Sequence, residues 1–177
     1  MISKLQSLLQ SDQKLFHTQD LALVLRITNR HNLRVTISRY IKKGILKSVY
    51  RGLYSTIPVQ SIDKYKLGSF FIHKFCYVSL YSIFERRGVI NQKVHSVNYV
   101  SSTSKKIEFN GKLFVYKQMN LQFLLNPEGI NLVDGVYEAS LERAVADSVY
   151  FNLKNHFDSP NLINWDRVAE IKKLVGY

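Results

Sequence analysis

A group of cationic, amide and hydroxyl side chains lies between residues 30 and 51 of the 177-residue chain. These groups can hydrogen-bond to nucleic acid, and they are Arg30, Asn32, Arg34, Thr36, Ser38, Arg39, Lys42, Lys43, Lys47, Tyr50 and Arg51. Arginine can donate two hydrogen bonds to guanine and asparagine can pair with adenine, whereas lysine and hydroxyl groups contact phosphates. The residue types therefore predict binding to double-stranded DNA. A solvated basic helix is the simpler alternative.

Two short helices are predicted to position this group. Thr18 is the expected N-cap of the first helix, and Asp20 lies in the first turn, where the helix dipole favours an acid. Residues 28–32 are polar and predict a turn, and a second helix is expected from about Leu33 to Lys43. Gly44 then ends the helix. The spacing predicts one buried stripe on the second helix, formed by Leu33, Ile37, Tyr40 and Ile41.

Beyond Gly44 the pattern alternates and predicts a hairpin. The expected strands are Ile45–Val49 and Gly52–Thr56, and Tyr50, Arg51 and Gly52 form the tip. Two helices followed by a hairpin with a basic tip predict a winged helix-turn-helix, whose second helix enters the major groove while the wing lies on the flanking backbone. Arg34 and Arg39 do not share one narrow stripe, so either one could contact a base while the other holds a phosphate.

The charge distribution favours the same kind of partner. The net charge is +12, and residues 1–60 contain ten lysines and arginines but only two acids. Such an excess predicts a polyanionic partner, with nucleic acid ahead of an anionic membrane. No apolar run approaches the roughly 20 residues that span a bilayer, so no membrane partner is expected. The single cysteine and the absence of a signal-peptide pattern favour a cytoplasmic location.

The predicted fold class is α+β, with the winged helix-turn-helix in residues 1–57, a linker in residues 58–68 and an α+β domain in residues 69–177. A helix is expected over residues 70–87. Asn110-Gly111 predicts a β-hairpin, which makes an antiparallel, hairpin-based sheet the expectation. Ser140 is predicted to cap a helix that runs to about Leu153, and a last helix is expected to end near Val175.

Few residues suggest catalysis. Glu142 and Asp147 are five residues apart on a predicted helix, which places them on different faces, and acids at a helix start or in ion pairs are the simpler interpretation. The five histidines lack metal-ligand spacing, and Cys76 is expected to be a buried structural thiol. The sequence therefore predicts no enzyme, metal site or cofactor. A nuclease would need a cluster of carboxylates in the second half of the chain.

The order of three segments resembles the AbiEi family of antitoxins from abortive-infection, type IV toxin–antitoxin systems. The segments are LFHTQDLA to TISRYIKKGILKSVYRGLYS, then FCYVSLYSIFERRGVI, then GVYEASLERAVADSVYF. The resemblance implies a transcriptional repressor of its own operon, with the winged helix on operator inverted repeats. It also implies that the C-terminal domain counters a nucleotidyltransferase-type toxin in phage defence. In the Glu142-Arg143-Ala144…Asp147 match, Arg143 is expected to pair with a carboxylate while Ala144 packs closely. The alternative is a basic interaction module that binds protein or RNA without operator specificity.

Overall fold

The computed structural model describes residues 4–177, and its chain divides into two compact units, Met1–Ile72 and His73–Tyr177. Both units combine helices with β-sheet, so the α+β class is confirmed. The spacing of Ile2, Leu5, Leu8 and Leu9 predicts a first helix over residues 2–11, and the structure has this helix as α1, Lys4–Leu9. Ile2, which was predicted on the apolar side of that helix, lies outside the described residues.

The first unit contains four helices and a three-stranded sheet within the described residues. Its elements after α1 are β1 (Leu15–His17), α2 (Thr18–Val24), α3 (Arg30–Lys42), β2 (Lys47–Tyr50), β3 (Leu53–Ser55), a 3-10 turn (Val59–Ser61) and α4 (Lys64–Phe70). The strand order is β1-β3-β2, and both pairings are antiparallel. The predicted linker, residues 58–68, thus holds the 3-10 turn and most of α4.

The start of each central helix differs from the prediction. His17, rather than Thr18, is the N-cap of α2, and its backbone N–H donates to Oδ2 of Asp20 at 2.7 Å. Helix α3 begins at Arg30 instead of Leu33 because Asn29 is its N-cap, with Oδ1 accepting from the Asn32 N–H at 3.0 Å. Asparagine suits both a turn and a cap, so composition alone placed the boundary too late.

Leu8, Phe16, Leu21, Leu25 and Leu46 form the core of the first unit together with the inner side of α3. The predicted stripe of α3 is confirmed for three of its four residues, which are Leu33, Ile37 and Tyr40. Ile41 is 37% exposed, and it lies at the edge of the stripe rather than within it. The opposite side of α3 is therefore free to face solvent.

The second unit is built on a six-stranded sheet. Its elements are β4 (Cys76–Val78), α5 (Tyr81–Arg86), β5 (Ser96–Ser101), β6 (Lys105–Phe109), β7 (Lys112–Gln118), α6 (Leu121–Leu124), β8 (Ile130–Val133), β9 (Val136–Ala139), α7 (Leu141–Tyr150), a 3-10 turn (Pro160–Leu162) and α8 (Trp165–Val175). The strand order is β6-β7-β5-β4-β9-β8. The predicted β6–β7 hairpin, the Ser140 cap and the last helix are confirmed.

Two predictions for this unit are wrong. The helix expected over residues 70–87 is interrupted by β4, which lies inside the sheet and is buried along its whole length. A short, fully apolar strand has no alternation that would distinguish it from a buried helix. The sheet is also mixed rather than antiparallel, because β5 runs parallel to β7 and β4 runs parallel to β9.

Candidate nucleic-acid interface

Helix α3 presents one broad cationic face to solvent. Successive residues of an α-helix are rotated by about 100°, so Val35 lies opposite both Leu33 and Ile37. A shallow groove runs along this solvent face, lined by His31, Arg34, Val35, Ser38, Arg39 and Lys42. All six side chains are exposed. Their positions make a surface about three turns long, which we call the α3 face.

Four of the predicted residues lie on the α3 face, and they are Arg34, Ser38, Arg39 and Lys42. The other four from this region lie at its margins. Arg30 is the first residue of α3, Asn32 follows in the first turn, and Lys43 is the C-cap. Thr36 is half-buried beside the core-facing stripe, which leaves it the least accessible of the predicted residues on the helix.

The α3 face is electrostatically uncompensated. Helix α3 contains no acid, and Arg34, Arg39 and Lys42 form no ion pair with any residue from 4 to 177. Arg30 stands in the first turn, where the positive end of the helix dipole disfavours a cation. Its charge and the dipole therefore add, and both would attract an anion at this end of the helix.

The β2–β3 hairpin extends the cationic surface of the first unit. Lys47 and Arg51 are exposed, with Arg51 in the two-residue loop between the strands. Gly52 follows at φ +73°, and its carbonyl accepts from the Thr18 N–H at 3.1 Å. This hydrogen bond ties the hairpin tip to the start of α2. The ring of Tyr50 instead packs edge-on against Phe71, with centroids 5.2 Å apart, so its phenol is only partly available.

The sequence interpretation did not include His31 and Val35, which both lie on the α3 face. It placed His31 in a turn because the helix start was set three residues late, and it assigned Val35 to neither side of the second helix. Asn29 was the sequence signal for the correct start of α3, because asparagine is a common N-cap residue. With α3 starting at Arg30, the i, i+4, i+7, i+11 spacing aligns His31, Val35, Ser38 and Lys42.

A second group of charged residues is buried in the second unit. The side chain of Arg143 is fully buried, and its Nε donates to Oδ1 of Asp147 at 2.9 Å. Its terminal nitrogens donate to the Tyr77 hydroxyl at 3.2 Å and to three backbone carbonyls between residues 123 and 128, at the end of α6 and in the loop after it. Asp147 also accepts hydrogen bonds from Ser79 and Tyr177. The expected pairing of Arg143 is thus confirmed.

This buried group has the geometry of a structural support. Burial raises the pKa of the Asp147 carboxyl, and the adjacent Arg143 guanidinium opposes that shift. Burial also raises the pKa of the Tyr77 and Tyr177 hydroxyls, and the negative charge of Asp147 adds to the effect. Each member has its partners within the group. Ala144 is fully buried, as expected, whereas Glu142 lies in the first turn of α7 and is half-buried.

The remaining candidate for chemistry is Cys76, which lies on β4 rather than on a helix. Its thiol is buried, as predicted, and burial raises its pKa to about 12. A thiol with so high a pKa carries little thiolate at neutral pH and is a poor nucleophile. Among residues 4–177, no three or more histidine, cysteine, aspartate or glutamate side chains are grouped so that they could hold a metal ion.

The chain was compared with protein-family models and with curated proteins. The chain matches no protein-family model, and no curated protein matches it. Across the described part of the chain, every helix is too short or too polar to cross a membrane.

Proposed function

We propose that the first unit is a winged helix-turn-helix DNA-binding domain and that the protein is a transcriptional repressor of its own operon. The α3 face carries this proposal, because it gathers three cations with no acid on the same helix. In this proposal α2 and α3 are the helix-turn-helix, and the β2–β3 hairpin is the wing. The location is proposed to be cytoplasmic.

The mechanism divides the contacts into two kinds. Helix α3 would enter the major groove, whose width of about 12 Å admits one helix, and Arg34 or Arg39 would donate to guanine. Arg30, Lys47 and Arg51 would hold phosphates on either side and so set the register of the helix. About six neutralised phosphates would make the affinity fall with salt at a log–log slope near −5.

We further propose that the second unit is the antitoxin part, acting against a nucleotidyltransferase-type toxin. The support is the AbiEi-like pattern, whose Glu142-Arg143-Ala144…Asp147 segment forms α7 and its buried ion pair. That ion pair stabilises the unit rather than acting on a substrate, so no enzymatic activity is proposed. A binding assay with the product of the neighbouring gene, and rescue of growth when both are expressed, would test this part.

The DNA-binding proposal is tested by fluorescence anisotropy with the protein's own upstream DNA and a scrambled duplex of equal length. We expect a specificity ratio of about a thousandfold or more. Replacing Arg34 or Arg39 by Ala should cost about 1–3 kcal/mol where that residue donates to a base. Arg87→Ala is the matched control, because Arg87 is an exposed arginine of the second unit.

Two outcomes would refute the assignment of α3. One is full binding after both arginines of the α3 face have been replaced together. The other is equal affinity for the upstream and scrambled duplexes, with a steep salt dependence. The second result would favour the alternative of a basic module that binds protein or RNA, because the cationic surface would then act without operator specificity.

A further inference from the structure

Val35 is an apolar residue at the centre of a cationic surface. It lies on the α3 face between Arg34 and Arg39, and it is 53% exposed. Other large apolar side chains of the first unit are as exposed, including Leu9 at 53% and Leu23 at 77%. Those two lie on α1 and α2, outside the α3 face. Val35 is therefore an apolar group placed where the surrounding side chains favour an anion.

Phosphate contact does not explain a valine at this position. Valine has a lower helix propensity than alanine, lysine or arginine, and exposing its methyl groups to water is unfavourable. A surface that only attracted the DNA backbone would gain more from a cation or a hydroxyl at its centre. The major groove, however, has one apolar group among its donors and acceptors, the C5-methyl group of thymine.

We propose that Val35 packs against the C5-methyl group of a thymine and thereby selects thymine at one position of the DNA site. The inference rests on the proposed DNA-binding function and adds a specificity-determining residue to it. Because Val35 points directly away from the core-facing residues Leu33 and Ile37, its methyl groups would face the base edges when the α3 face enters the groove.

The flanking residues fix where this thymine should lie. Arg34 and Arg39 are five residues apart, which is about 7.5 Å along the helix axis at the usual rise. Successive base pairs are about 3.4 Å apart, so the two arginines span about two base steps and Val35 lies between them. A thymine contacted by Val35 should therefore lie within about two base pairs of a guanine contacted by either arginine.

The test begins with selection from a library of randomised DNA duplexes, using the wild-type chain and Val35→Ala. We expect a thymine preference in the wild-type site that Val35→Ala loses, while the neighbouring guanine preference remains. Leu9→Ala is the matched control, because Leu9 has the same exposed fraction but lies on α1. It should select the same site as the wild type. Circular dichroism confirms that each variant is folded.

The decisive measurement removes only the methyl group, by replacing the selected thymine with deoxyuridine. One buried methyl-sized group corresponds to about a fourfold change in affinity. We expect deoxyuridine to weaken wild-type binding about fourfold and to leave the affinity of Val35→Ala nearly unchanged. That coupling between one methyl group and one side chain would support the contact.

Three results would overturn the inference, and they are distinguishable. Deoxyuridine could weaken both proteins equally, which would mean that another residue contacts the methyl group. A specific site without any thymine preference would leave the DNA-binding proposal standing but remove the role of Val35. Selection of no sequence at all would refute the proposed function itself, and the inference with it.

Discussion

Replacing Arg143 by Met removes the cation of the buried network while keeping an unbranched side chain that extends about as far as the arginine Nε. The structure lets the cost be estimated. The Asp147 carboxylate would remain buried without its ion-pair partner, a change that costs about 3–5 kcal/mol in comparable sites. The carbonyls of Phe123, Asn126 and Glu128 would also lose a donor. An unsatisfied buried acceptor costs about 1–3 kcal/mol, although water can reach part of this loop.

We therefore expect Arg143→Met to lower the free energy of unfolding of the second unit by about 4 kcal/mol or more. This is a large part of the roughly 5–15 kcal/mol that stabilises a typical domain. Urea unfolding followed by tryptophan fluorescence measures it directly, because the single tryptophan, Trp165, lies on α8 of the second unit. The first unit contains no tryptophan, so the fluorescence signal comes from the second unit.

Arg167→Met is the matched control. Arg167 also pairs with carboxylates, those of Glu128 and Glu170, but its side chain is 36% exposed. Solvent can replace a lost partner there, so the urea midpoint should move little. A second variant isolates the charge, since Arg143→Met combined with Asp147→Asn should recover part of the lost stability. A loss below about 1 kcal/mol in Arg143→Met would refute the assignment of this network as a main support of the unit.

Two further predictions concern Cys76 and Gly129, which also lie in the second unit. The Cys76 thiol, with its pKa raised to about 12, should resist alkylation at pH 8 until urea unfolds the chain, which a mass-spectrometric time course would follow. The buried thiol contributes its full stability below about pH 9, and this contribution is lost as the pH rises toward 12, by about 1.4 kcal/mol per pH unit. If the free energy of unfolding falls equally steeply between pH 9 and 10 in Cys76→Ala, this prediction is wrong. Gly129→Ala should destabilise the unit by about 1–3 kcal/mol in urea unfolding, because Gly129 has φ +70° and a Cβ there would lie 2.7 Å from the Cβ of Arg143. A midpoint unchanged from the wild type would show that the loop shifts to accept the methyl group.

Local signals explain which parts of the fold could be predicted. The Asn110-Gly111 hairpin is confirmed because its two residues adopt φ +49° and +71°, which these residue types accept at little cost. The same signal was available at Asp134-Gly135, with φ +50° and +80°, and it was not used there. Strand β8 before this pair was therefore missed, although β8 and β9 form a hairpin around it.

The residue types on the exposed side of α3 could be predicted from the sequence, and their arrangement only in part. The amino-acid order placed Arg34, Ser38, Arg39 and Lys42 on one helix, and the structure brings them onto one face. Val35 was assigned to neither side of the helix, although a rotation of about 100° per residue already placed it opposite Leu33 and Ile37. His31 was missed because the Asn29 cap, which starts α3 at Arg30, was not recognised.

The sequence by itself determined the features that depend on near neighbours along the chain: the cationic α3, the capped α7, the glycine-containing turns and the excess of positive charge in the first 60 residues. Tertiary structure alone decided the features that depend on distant partners. Strand β4 is a strand because β5 and β9 hydrogen-bond to it on either side. Arg143 meets the Tyr77 hydroxyl across 66 residues of chain. Hydrogen-bond partners of this kind are chosen by packing, and no local pattern in the sequence specifies them.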